Sequence, residues 1–418
     1  MRWVPGTGPF YGRPRAERPP YNRCMAPDDP SLPPDLPGGE AFADSPLFRE
    51  LQRVLQAGAG PVNWELARQL AVAMASPGGV DPDPTEDDRR SLENTVRAAE
   101  LQVAELTAMP APSEVAPVEP MRRSRWVETT IASLKDLVEP AAARVGELFS
   151  RAQQEEQLPP DAAQFAGAMM GQVAPLLVGV QVGTVLGYLG QRVLGQYDVA
   201  IPHPGPGVVR FVVPNIAAFE SEWSLPSIEF RAWVALHEVT HRFQFSRPWV
   251  RGHFVELLRD YVSTLEFDLR ALQEGIERVN VQDPAALQEL FQSNEGFLGP
   301  VLDDEQRIKL ARIQAFMAAA EGHGEHVSER IGSRVLRAHS QIEEAVRRNR
   351  EGESGDPVFE RLLGVELKRE QYRLGREFCE RVVELTDEAT LSRMWESAEA
   401  LPSMPELEEP RLWLARVA

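Results

Sequence analysis

Residues 234–245 read VALHEVTHRFQF, and within them stands His237-Glu238-Val239-Thr240-His241. Residues four apart lie on one face of an α-helix, so the two imidazoles can meet one metal ion while Glu238, beside the first of them, reaches the water that the ion holds. The plainer reading of the same spacing is a pair of helix histidines satisfied by carboxylates. The apolar approach Trp233-Val234-Ala235-Leu236 points to a buried helix rather than a solvated one, with Arg242 an exception to the uncharged surroundings.

A catalytic zinc centre takes three protein ligands and leaves one position for water. The metzincin extension, with Gly three and His six residues beyond the second His, is excluded because Gln244 and Arg247 occupy those positions. The third ligand must then come from a later helix, and residues 318–330, AAAEGHGEHVSER, offer one. Glu321 and Glu325 are four apart on one helical face: Glu321 can ligate the metal, and Glu325 can orient a ligating imidazole by accepting its second N–H. His323 competes with Glu321, since a neutral imidazole is as good a zinc ligand as a carboxylate. His323 and His326 read otherwise as a surface pair, or one of them lines the pocket and donates a hydrogen bond to a developing oxyanion. Tyr197, His203, His253 and Tyr372 are further polar candidates with no spacing rule behind them.

Outward from this centre the pattern is helical on both sides. Leu47, Leu51, Val54 and Leu55 form one stripe, a second helix runs from a cap at Asn63 through Met74, and after the turn-rich SPGGVDPDPTEDD residues 91–108 carry Leu92, Val96, Ala99 and Val103 at helical spacing. Met109 to Pro120 is Pro-rich and reads as a loop, and helices return over 126–150 and 161–195. The β-branched run Val208–Val213, between HPGPG and Pro214, reads as a strand that can align an extended peptide along its edge. Helices resume at Ser227 and dominate from Arg251 to about Ala398. The fold class is mainly α with a small β element (α+β).

Phe165 to Gly195 is apolar enough to raise the question of a membrane span. Gln172, Pro175, Gln181 and Gln191 recur inside it, and Gly179, Gly183 and Gly187 form a small-residue ridge at i, i+4 and i+8. Such a ridge lets a second helix approach closely, so a buried helix pair is expected in place of stable membrane insertion.

The chain has 418 residues, with 44 Lys and Arg against 63 Asp and Glu, for a net charge of −19. Phosphate affinity comes from clustered basic residues, so nucleic acid is not an expected partner. The opening residues lack the apolar run of a secretory signal, and the two cysteines, Cys24 and Cys379, suit a reducing compartment, which makes the expected location cytoplasmic. Zinc in such a chain must be held by His and Glu rather than by thiolates. Dense Pro, Gly and Asp mark 1–44 as a disordered leader. One domain is expected over 45–400, a helical scaffold to 195 and then the strand and metal-site helices, with 401–418 as a C-terminal tail.

LFRELQRVLQAGAGPVNWELARQLA, QRVLGQYDVAIP, RFVVPNI, FRAWVALHEVTHRFQF and AAAEGHGEHV, in this order, resemble the zincin-like metallopeptidase family found mainly in actinobacteria. The resemblance covers about residues 45–400. It implies a zincin-like active-site helix in a large helical domain, with Zn2+ on His237 and His241, Glu238 as the general base, and a peptide or amide substrate. Glu321 fits the Glu-Gly-His segment of such proteins. The rival reading is a non-catalytic helical protein whose structural or vestigial metal site serves partner binding. Three protein ligands plus solvent favour catalysis, and four favour the rival.

Overall fold

The computed structural model describes residues 60–112, 114–155, 160–197, 207–264, 303–352 and 365–417, which belong to one compact unit, Leu51–Ala418. The leader 1–44, the first helical stripe, His203 and the side chain of Tyr372 lie outside the described residues.

Helix α1 (Trp64–Ala75) starts where the side chain of Asn63 accepts from the Leu66 N–H at 2.9 Å, the expected cap. Helix α2 (Glu86–Thr107) has a full capping box between Thr85 and Asp88 and three acidic residues in its first turn. Its stripe Leu92, Val96, Ala99 and Val103 is buried, and the helix stops at Ala108 in the left-handed conformation. Next come β1 (Val118–Met121), α3 (Arg123–Glu155) and α4 (Pro160–Gly190). The small-residue ridge of α4 seats on α1. A Cβ added at Gly179 would stand 2.6 Å from the Asn63 carbonyl oxygen, and one at Gly183 would stand 2.7 Å from that of Ala67. Ala67, Ala71 and Ala75 are accordingly buried, and Gln191 donates to the Met74 carbonyl at 2.8 Å. Among the described residues no helix is long and apolar enough to cross a membrane.

Strand β2 (Val209–Val212) pairs in parallel with β1, Val118 opposite Val209. The expected loop at Met109–Pro120 therefore ends in a strand, with Pro120 tolerated because β1 has a partner on one side only among the described residues. Alternate residues of a strand point to opposite sides. Val209 donates to the Pro117 carbonyl, while Arg210 and Val212 bond the other way, to Gln196 and Leu194. β2 is thus covered on both sides, which corrects the expectation of a free edge for peptide. The amide of Asn215 donates to the Gly190 and Val193 carbonyls and holds residues 190–197 in this course.

Helix α5 (Val213–Glu222) leads to α6 (Ser227–Phe245), which carries the His-Glu-Val-Thr-His run, and then to α7 (Pro248–Ser263). Arg231 bonds Asp88 and Arg242 bonds Glu100, so α2 and α6 run parallel, tied at both ends. Helix α8 (Asp304–Val335) crosses α6, with small residues, Ala318, Ala319, Ala320, Gly322 and Gly324, buried along the crossing region. After α9 (His339–Gly352), helix α10 (Val365–Leu385) packs on α8 so closely that a Cβ at Gly322 would stand 2.2 Å from the Gly375 carbonyl carbon. The C-terminal stretch read as a tail is instead folded. After α11 (Glu388–Ser392), helices α12 (Met404–Glu408) and α13 (Pro410–Val417) bring Leu407 and Trp413 into the main core.

Candidate metal centre

Every residue of α6 from Val234 to Gln244 is buried, including polar ones that would be costly there without partners. The Thr240 hydroxyl donates to the Leu236 carbonyl at 2.7 Å. The Arg242 guanidinium donates to Glu100, to the Gly207 carbonyl at 2.8 Å and to the Glu114 carbonyl at 2.6 Å. What remains is His237, Glu238, His241 and Gln244, and these face α8 and the 194–197 segment.

His237, His241 and Glu321 form a buried cluster able to hold a metal ion. The two Nε2 atoms are 3.1 Å apart, and each lies 3.8 Å from Glu321 Oε2. The point equidistant from the three atoms is about 2.1 Å from each, the length of a zinc bond to nitrogen or oxygen. Two imidazoles and a carboxylate at this spacing fit a divalent ion of the zinc type. Glu238, His241 and Glu321 are 0% exposed and His237 5%, so the cluster is buried. Trp233 stacks on the His237 ring and Phe245 on the His241 ring, giving the cluster apolar walls. Gly324 leaves room for both imidazoles: a Cβ there would lie 3.2 Å from His237 Cε1 and from His241 Cε1 and Nε2.

Glu238 projects toward the strand side. Its Oε2 accepts from the Tyr197 main-chain N–H at 3.0 Å, and a Cβ on Gly195 would fall 2.2 Å from its carboxyl carbon. Residues 190–197 are thus what positions the carboxylate, a role for Gly195 and the Tyr197 backbone that the sequence signals only as a glycine beside a strand. Burial, and next the charge of Glu238, push the Tyr197 phenol well above its ordinary range.

The other candidates take separate places. His323 is buried, its Nδ1 3.0 Å from Gln244 Nε2, and burial, then His326 and His241, push its pKa down to about 3, so it is neutral. The His326 Nε2 lies 3.1 Å from Glu388, which also bonds Arg330, and so joins α8 to α11. Glu325 lies 3.8 Å from Arg376 of α10, while the Nδ1 of His241 is held by Gln244 Oε1 at 2.9 Å. Gln244, noticed in the sequence only as a departure from the metzincin pattern, fills at His241 the place that the spacing offered to Glu325. His253 packs edge-on against Trp249 and, with Glu256, Arg312 and Glu399, lines a separate cavity of about 570 Å³.

A solved structure from Chloroflexus aurantiacus, of a protein provisionally described as a hydrolase with a novel fold, is similar to this chain. The two share 31% identity over 85% of this chain and 98% of that one, with a TM-score of 0.61. No curated protein matches it. The helices that carry His237, His241 and Glu321 both lie inside residues 62–414, which match the zincin-like metallopeptidase family, and to that family the chain belongs.

Proposed function

We propose that the protein is a zinc-dependent hydrolase, a metallopeptidase that cleaves peptide or related amide bonds. The observation that carries this reading is the convergence of His237 Nε2, His241 Nε2 and Glu321 Oε2 on one buried point, with Glu238 on the same helix as the two imidazoles. Zn2+ held by the three side chains supplies a Lewis acid that polarises a carbonyl and brings the pKa of water towards neutrality. Glu238 accepts the proton of the attacking water and then delivers it to the leaving nitrogen as the C–N bond breaks. The Tyr197 N–H holds the carboxylate of Glu238 in place for both transfers. Trp233 and Phe245 exclude water from the imidazole faces, which strengthens the electrostatics inside. Two His and one Glu make the three-ligand set of a catalytic centre, where a structural site takes four. The scarcity of cysteine makes a reducing, cytoplasmic location part of the same reading.

The test is E238Q, assayed against a mixed peptide library. The variant keeps one equivalent of zinc and loses turnover by about 10²- to 10⁴-fold, the usual contribution of a general base. E238Q protein as active as wild type would end the mechanism.

A further inference from the structure

Gln244 is fully buried three residues after His241, and its amide meets three groups. The Ala320 carbonyl has no hydrogen to give, so the atom 3.0 Å from it is the amide nitrogen. The amide oxygen is thereby turned to His241 Nδ1 at 2.9 Å. An amide oxygen only accepts, so Nδ1 carries the ring proton and His241 Nε2 presents its lone pair to Glu321 and His237. The second amide hydrogen runs to His323 Nδ1 at 3.0 Å, which occupies that nitrogen's lone pair and puts the His323 proton on Nε2. Residues 320 and 323 flank Glu321, so one side chain of α6 grips α8 on both sides of a ligand.

We propose that Gln244 is a positioning residue of the metal centre. It holds His241 in the tautomer that offers Nε2, sets the spacing between the two ligand-bearing helices, and withdraws His323 from competition, leaving Glu321 as the third ligand. The inference rests on the zinc hydrolase reading above. Partners of this kind are worth about 10- to 100-fold in metal affinity.

The test uses the full chain with Zn2+ and Co2+ as probes. Zinc affinity, measured by chelator competition, falls about 10- to 100-fold in Q244M, and the visible spectrum of the Co2+ form shifts. Q244E, which still accepts from His241 but cannot donate to Ala320 or His323, loses clearly less zinc affinity than Q244M although its melting temperature falls as far, a partial rescue that a purely structural role would not produce. H323A keeps one equivalent of zinc. Because Q244M places an apolar group where three hydrogen bonds were made, the wild-type protein provides a readout independent of how that variant folds: long-range proton–nitrogen spectra of 15N-histidine show the His241 proton on Nδ1. Unchanged zinc affinity in Q244M, loss of zinc from H323A, or a His241 proton on Nε2 overturns this inference alone. Failure of the wild-type chain to take up zinc overturns the functional reading and this inference with it.

Discussion

The crossings of α1 with α4 and of α8 with α10 are built from the same device and serve different ends. In the first, Gly179 and Gly183 lie against the main chain of Asn63 and Ala67, and Gly187 lies against Met74 and Ala71. That crossing is chemically silent: glycine on one helix meets main-chain and Cβ atoms of the other, and removing the side chains lets the backbones come close. In the second, Gly322 and Gly375 do the same, but Gly322 adjoins Glu321, so the closeness of the helices bears on where the proposed third ligand stands. A methyl group added to the first crossing should register in stability alone. One added to the second should register in the metal as well.

The strongest break is Gly375→Ala. Its Cβ would lie 1.9 Å from the Ala318 carbonyl oxygen, a main-chain atom that cannot swing away, so unfolding in denaturant should show a loss of about 3 kcal/mol, with zinc affinity falling alongside. Gly183→Ala, with its Cβ 2.7 Å from the Ala67 oxygen, is the matched substitution in the silent crossing. It should cost about 2 kcal/mol, and zinc titration below the melting temperature should be unchanged. Loss of zinc affinity in Gly183→Ala would erase the distinction between the crossings. Gly324→Ala sharpens it from the other side: the contacts of 3.2 Å are to imidazole atoms rather than backbone, so zinc binding should weaken about tenfold with little change in melting temperature.

The smallest effect concerns the tie between α2 and α6. Burial alone would raise the pKa of Asp88, but hydrogen bonds from Thr85 and Arg231 outweigh it and hold the carboxyl below its ordinary value. Its stabilisation is therefore present above the unfolded pKa of about 3.9 and is lost as pH falls through the lower folded value. Acid titration of stability should flatten in that window by about 1 kcal/mol in Asp88→Asn, and an unchanged acid limb would show that the Arg231 contact carries no linkage.

What the sequence discloses and what it hides follow the same division between local and distant. The Asn63 cap, the Leu92 to Val103 stripe, the glycine ridge of α4 and the buried helix bearing His237 and His241 are each written in one short periodic stretch. β1 is hidden because Pro120 makes it look like loop, and its partner β2 lies about 90 residues on in a parallel pair, which leaves no hairpin signal. Gln244 is hidden for a similar reason: nothing local marks it, and its partners Ala320 and His323 lie on a helix far down the chain. Glu321 and Glu325 share a helical face by spacing, but four residues advance a helix by about 6 Å, and that step is enough to carry Glu325 to Arg376 of α10. The C-terminal residues look like a tail because Pro402, Pro405 and Pro410 cut them into pieces too short to show a helical period, yet Trp413 buries a large ring against Phe378.

The central claim is that two helices supply three ligands to one catalytic ion, and zinc stoichiometry of wild type beside E321A tests it most directly. The account predicts one tightly held equivalent in the wild-type chain and none retained by E321A after dialysis against a weak chelator. Full stoichiometric zinc in E321A, held as tightly as in wild type, would contradict it.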